Sequence, residues 1–174
     1  MPKILVAPLS AVHECIRFYE PSHLVTLLGE AYMIGTPEGI AESRHLRLAM
    51  TDVADAALDE FAPSQKHVLD LLAFSRQWDA KAPMLVHCWA GISRSMAATF
   101  TILCDRFGPD SEIQIAKAIR RRAPHADPNR LFVRFADEVL GRSGRMIEAV
   151  EAIGRGKLAV EGPLVEFPLV LETE

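Results

Sequence analysis

Apolar residues in this chain gather in short strand-like runs over its first half, at Ile4 to Ala7, His23 to Leu28, His45 to Met50 and Met84 to His87. Short helical or irregular stretches separate the earlier runs. A helix opens at Pro63-Ser64 and continues to about Trp78, with Val68, Leu71, Leu72 and Ser75 at helical spacing. It delivers the chain to the run Pro83 to His87. Beyond that point the period is helical: Ser93 to about Phe107, Ser111 to about Arg122, Asn129 to Leu140 and Arg142 to about Ile153. Asp127-Pro128 reads as the start signal of the third of these, aspartate capping and proline in the first turn. Strand, helix, strand followed by helices predicts an α/β fold, with a short central sheet and helices on its faces. A single domain over 1–174 is expected, with 141–174 a C-terminal helix and tail packing on the body. The string Gly141-Arg142-Ser143-Gly144-Arg145 lacks the Lys-Ser/Thr ending of a nucleotide loop and reads as a helix junction.

Composition narrows the class. A chain of 174 residues, 49% apolar and 24% charged, is long enough for a full core and gives no sign of disorder. Its net charge of −4, with no long basic run, argues against a nucleic-acid or acidic-membrane surface, so any anion chemistry has to be focused locally. Pro8 breaks the apolar opening, which reads as a first strand rather than a secretory signal, and no apolar run approaches the roughly 20 residues that span a bilayer. Cys15, Cys88 and Cys104 are too few and too scattered for a disulfide framework or a zinc cluster. A reducing, cytoplasmic setting follows as an expectation.

The chemistry concentrates in His87-Cys88-Trp89-Ala90-Gly91-Ile92-Ser93-Arg94-Ser95, where a buried strand hands over to a helix. A loop in that position points successive backbone N–H groups inward at the positive end of a helix dipole and so binds a tetrahedral dianion. Trp89, Ala90, Gly91, Ile92, Ser93 and Arg94 would build that cradle. Cys88 sits at its floor, where the same field favours a thiolate and makes the sulfur a nucleophile. The planar fork of Arg94 can grip two anion oxygens, Gly91 lets the loop turn without a Cβ, and Ser95 places a hydroxyl near the sulfur.

These residues resemble the HCxxGxxR(S/T) signature of the cysteine-dependent protein tyrosine phosphatases, and Ala90 to Ser95 is most similar to the dual-specificity branch. Residues 120–140, with Pro128-Asn129-Arg130-Leu131-Phe132, are similar to the Pro-Asn-x-x-Phe pattern that follows the signature there. The Trp-Pro-Asp string of the classical tyrosine-specific branch is missing. The resemblance spans roughly residues 20–140 and implies a three-layer fold around a short, mostly parallel sheet. It also implies a two-step hydrolysis through a phosphocysteine, without metal or other cofactor, with Cys88 and Arg94 as catalytic residues and Ser95 assisting. The acid it calls for is an aspartate some thirty-odd residues upstream. Asp52, directly after a strand and 36 residues before Cys88, fits that pattern, and Asp55, 33 before, is the runner-up.

Other residues have plainer readings. His87 orients and tunes the loop as a hydrogen-bonded core group rather than shuttling protons, while Trp89 and Ile92 either line the mouth or pack. Arg120-Arg121-Arg122 either aids substrate approach or, as charge runs usually do, forms a solvated face, Arg44, His45 and Arg47 are ambiguous in the same way, and Cys15 and Cys104 are core or surface thiols. The expected partner is a phosphorylated protein or a small aryl phosphate, with no nucleic acid and no membrane; the sequence does not give an oligomeric state. Aryl esters leave as phenols of pKa about 10 and depend less on the acid than alkyl esters do. Two rivals use the same residues: a catalytically silent phosphate-binding module, and a rhodanese-like sulfurtransferase, whose arginine stands nearer its cysteine.

Overall fold

The computed structural model describes residues 1–171. Five strands, β1 (Lys3–Pro8), β2 (His23–Leu28), β3 (His45–Ala49), β4 (Met84–Cys88) and β5 (Val165–Pro168), form one sheet in the order β3-β2-β4-β1-β5. The first four run parallel, and β5 lies antiparallel on β1, pairing Leu5 with Glu166 and Val6 with Val165. Side chains along a strand point alternately to opposite faces, and here both faces are covered. Ile4, Val6, Val25, Leu27, Met84 and Val86 enter the larger core. Leu5, Ala7, Leu24 and Leu85 enter a smaller one against a single helix.

That helix is α1 (Val12–Tyr19), which the sequence reading left among irregular stretches. Val12, Cys15 and Ile16 are buried at the i, i+3, i+4 spacing of one helix face, and Glu20 ends the helix in the left-handed conformation just before Pro21. The opposite face carries α2 (Gln65–Ser75), α3 (Arg94–Phe107), α4 (Glu112–Arg122), α5 (Arg130–Leu140) and α6 (Arg145–Ile153). α2 starts in a reciprocal capping box between Ser64 and His67. β5 was not foreseen either: its four residues bury only Val165 and Phe167, too brief an alternation to stand out.

The start of α5 corrects the sequence reading. Asn129, not Asp127, is the cap, its Oδ1 accepting from the Phe132 N–H at 2.9 Å. The Asp127 carboxylate instead holds Arg130 and Arg155, one on each oxygen, at 2.9 Å. Arg120 is likewise not a solvated charge. Its guanidinium donates to the carbonyls of Pro124 and Ala126 and of Ile153 and Gly154, clamping the turn before α5 to the end of α6. Cys15 and Cys104 are both buried. No helix among the described residues is long and apolar enough to cross a membrane.

Because β1 to β4 are parallel, the segments that leave their carboxyl ends collect on one edge of the sheet, where open α/β sheets place ligands. Pro8-Leu9, Gly29 to Tyr32, Met50 to Val53 and Trp89 to Ser93 meet there.

Candidate active site

Cys88 is the last residue of β4 and Ser93 the cap of α3, so residues 89–93 form the turn between them. The outward carbonyls of this turn are tied to segments far away in sequence. Trp89 accepts from the Leu9 N–H at 3.1 Å, Ala90 from Gly162 at 2.8 Å, Ile92 from Asp127 at 3.0 Å, and Ser93 from Asn129 at 3.2 Å. In a planar trans peptide the next N–H points opposite to its carbonyl. Outward carbonyls therefore turn the N–H groups of Ala90, Gly91, Ser93 and Arg94 inward, an arrangement able to receive an anion. Gly91 has φ +70°, and a Cβ there would lie 2.9 Å from the backbone of Ala7 and Pro8, so no larger residue fits without moving β1.

Cys88 is buried at the floor, its Sγ 3.1 Å from Ser95 Oγ. Arg94, also buried, donates from one terminal nitrogen to the Met50 carbonyl at 2.9 Å, while its Nε is sealed from solvent without an acceptor. A cavity of about 320 Å³ opens beside it, lined by Leu28, Gly29, Tyr32, Thr51, Asp52, Trp89 and Arg94. Trp89 and Tyr32 meet edge to face at its mouth, ring centres 5.2 Å apart.

Asp52 lies against the turn: Ser93 Oγ donates to its Oδ1 at 2.7 Å and Asn129 Nδ2 at 2.9 Å. Asn129 Nδ2 also donates to the Val53 carbonyl, so one side chain caps α5 and fixes the segment carrying Asp52. Asp55 faces elsewhere, accepting from the Ala57 N–H in its own turn.

The sequence profile of the family described as protein-tyrosine phosphatase matches residues 58–125, which hold α2, β4, the Cys88 turn, α3 and α4. Over those residues the chain is similar to the protein-tyrosine phosphatases. Solved structures agree on the fold. DUSP15 superposes with a TM-score of 0.63 at 19% identity, covering 88% of this chain and 91% of its own. The human tyrosine phosphatase-like serine/threonine/tyrosine-interacting protein gives 0.61 at 17%, covering 81% and 93%. PTPMT1, solved in complex with PI(5)P, gives 0.59 at 18%, covering 82% and 96%. No curated protein matches the chain in sequence.

In this phosphatase fold the structure gathers Cys88, Arg94, Ser95, Asp52 and residues 89–93 around one crater and leaves Asp55 outside it. Trp89 lines the mouth; Ile92 lines a neighbouring crevice with Asp127, Pro128 and Arg130. His87 is fully buried. Its Nε2 lies 2.7 Å from Thr26 Oγ1 and its Nδ1 3.2 Å from the Cys88 carbonyl, and burial pushes its pKa down to about 4. Three residues of the site went unread in the sequence. Asn129 stood inside the Pro-Asn string, where its dual contact had no local sign. The Gly162 N–H comes from the tail. Thr26 looked like an ordinary strand position, whereas His45 was left ambiguous beside Arg44 and Arg47.

Proposed function

We propose that this chain hydrolyses phosphomonoesters through a phosphocysteine, as a protein phosphatase of the dual-specificity type. The observation that carries the reading is the Arg94 Nε, a buried donor with no acceptor, at a turn whose N–H groups converge on the same space. A buried donor left unpaired costs on the order of 1–3 kcal/mol, and a bound phosphoryl oxygen removes that cost.

The Cys88 sulfur attacks phosphorus as the bond to the ester oxygen breaks, and Asp52 gives its proton to the departing oxygen. Both described bonds to Asp52 end on Oδ1, leaving Oδ2 to carry that proton toward the crater. Water then attacks phosphorus, Asp52 takes its proton, and the sulfur leaves as a thiolate that the Ser95 hydroxyl stabilises by donating to it. Arg94 and the inward N–H groups hold the equatorial oxygens throughout. His87, neutral above about pH 4, takes no part in proton transfer.

The aromatic mouth formed by Trp89 and Tyr32 favours a flat leaving group, so phosphotyrosine and aryl phosphates are the preferred substrates. A turn with one arginine and no lysine suits a single monoester dianion better than a headgroup such as the PI(5)P held by PTPMT1. Three buried, unpaired thiols suit a reducing, cytoplasmic compartment.

The deciding experiment is p-nitrophenyl phosphate hydrolysis against pH, with a chelator present, for the wild type and Cys88→Ser. Chelator-resistant turnover in the wild type and none in the variant is expected. Equal turnover in both would overturn the mechanism, and oxyanion binding without turnover in either would leave a phosphate-binding module.

A further inference from the structure

The histidine before the cysteine is the inner end of a hydrogen-bond chain that crosses three adjacent strands. Thr36 Oγ1 lies 2.9 Å from His45 Nδ1, His45 Nε2 lies 2.8 Å from Thr26 Oγ1, and Thr26 Oγ1 lies 2.7 Å from His87 Nε2. His45 opens β3, Thr26 is in β2 directly opposite His87 in β4, and all three are buried. His87 Nδ1 then meets the Cys88 carbonyl.

Only one proton arrangement satisfies this chain while both rings are neutral. The carbonyl can only accept, so His87 Nδ1 carries the proton and Nε2 is a bare lone pair. Thr26 must therefore spend its single hydroxyl proton on His87 Nε2. Its oxygen accepts in turn from His45 Nε2–H, and His45 Nδ1 faces the Thr36 hydroxyl, for whose proton the Glu42 carboxylate competes. Burial, the largest influence on both rings, keeps them neutral; Arg47 and Glu42 act on His45, while on His87 the bond to the Cys88 carbonyl opposes burial and His45 and Arg94 reinforce it.

We infer that His45 is a positioning residue of the phosphate turn: through Thr26 it fixes the His87 tautomer, and so the orientation of the first peptide of the cradle. With His87 Nδ1–H donating to the Cys88 carbonyl, the Cys88-Trp89 peptide is held with the Trp89 N–H aimed into the crater. With the proton on Nε2, the Nδ1 lone pair would face the carbonyl lone pairs, and that peptide would lose its anchor. The strand-to-strand spacing supplies this control; no residue of the motif does. Its effect on turnover rests on the hydrolase reading, whereas its effect on the ring does not.

The test is a long-range ¹H–¹⁵N spectrum of the imidazoles at neutral pH, read together with vanadate affinity. The wild type should show His87 as the Nδ1–H tautomer. Thr26→Val and His45→Leu should give mixed His87 tautomers and vanadate binding weaker by about three- to tenfold, the range expected for one lost hydrogen bond. Thr26→Ser and His45→Gln, which keep the two donors, should stay within about twofold of wild type on the same reasoning. A wild-type His87 protonated at Nε2 overturns the inference even if no variant folds, as does an unchanged tautomer in both disruptive variants. The failure of the hydrolase reading looks different: the tautomer is as stated but p-nitrophenyl phosphate is not turned over.

Discussion

Asp52 is held by two donors on one oxygen, and that geometry makes its role measurable. With Asp52 as the proposed proton source, Asp52→Ala removes it but not the turn, so the loss in kcat should grow with the basicity of the leaving group. For phosphotyrosine, a loss of about 10² to 10⁴ is expected, the usual range for a positioned acid. For an aryl phosphate with a strongly acidic phenol the loss should be much smaller. A plot of log kcat against leaving-group pKa, nearly flat for the wild type and steep for Asp52→Ala, is the expected result. The same slope in both proteins would move the role elsewhere, with Asp55 the first residue to test. Vanadate affinity should change little in this variant, since Arg94 and the turn remain.

At the scale of elements, the crater is where α5, the tail and the loop after β3 converge. Asn129→Ala removes a helix cap, the hold on Val53 and one of the two donors to Asp52. The cap alone is worth about 0.5–2 kcal/mol, so the variant should unfold at lower denaturant and lose kcat more than KM. Asn129→Ser separates the two effects: its hydroxyl can cap the helix by accepting from Phe132 but is too short to reach Asp52 and Val53, so it should recover stability without recovering kcat. The tail gives a second case. A Cβ at Gly162 would lie 2.6 Å from His125 Nε2, displacing the N–H that holds the Ala90 carbonyl. Gly162→Ala should therefore raise KM and weaken vanadate binding, with a stability loss of about 1–3 kcal/mol from overpacking. A variant with altered stability but wild-type KM would show that the tail merely covers the turn.

These elements also show what a sequence can and cannot disclose. The strands before α2 and the four helices after β4 announce themselves by apolar spacing, and the cysteine turn by residue types that together suit an anion. The cap at Asn129 was misassigned to Asp127 because both are good caps and the two stand two residues apart; ion pairs with Arg130 and Arg155 decide between them. Asp52 and Asp55 could not be separated by spacing, since the difference is which one folds back onto Ser93. The contacts of Thr26, His45 and Gly162 join positions up to 72 residues apart, and nothing local marks them.

The whole molecule carries an unusual load of buried imidazoles. Burial lowers the pKa of His23, His45, His67, His87 and His125, with His45 and His87 reaching about 4. In the unfolded chain these rings titrate near 6.5, so between roughly pH 6.5 and 4 the unfolded state binds more protons. The stability they contribute is complete above that window and is lost as pH falls through it. His45 and His87 alone give a slope of about 2.7 kcal/mol per pH unit where both differ fully in protonation. Urea midpoints should hold steady from pH 8 to 7, then fall steeply below about 6.5, well before the carboxylates titrate. A midpoint unchanged down to pH 5 would mean that these rings are charged in the folded protein.

The turn around Cys88 is closed by N–H groups from Leu9, Asp127, Asn129 and Gly162. A ribosome makes these in order, and the last arrives more than seventy residues after the cysteine. Until it does, the Ala90 carbonyl lacks its partner and the peptide that follows it is free to turn. The nascent protein can thus present a nearly complete core while the turn around Cys88 is still unfinished. The turn is closed only once residue 162 has been made.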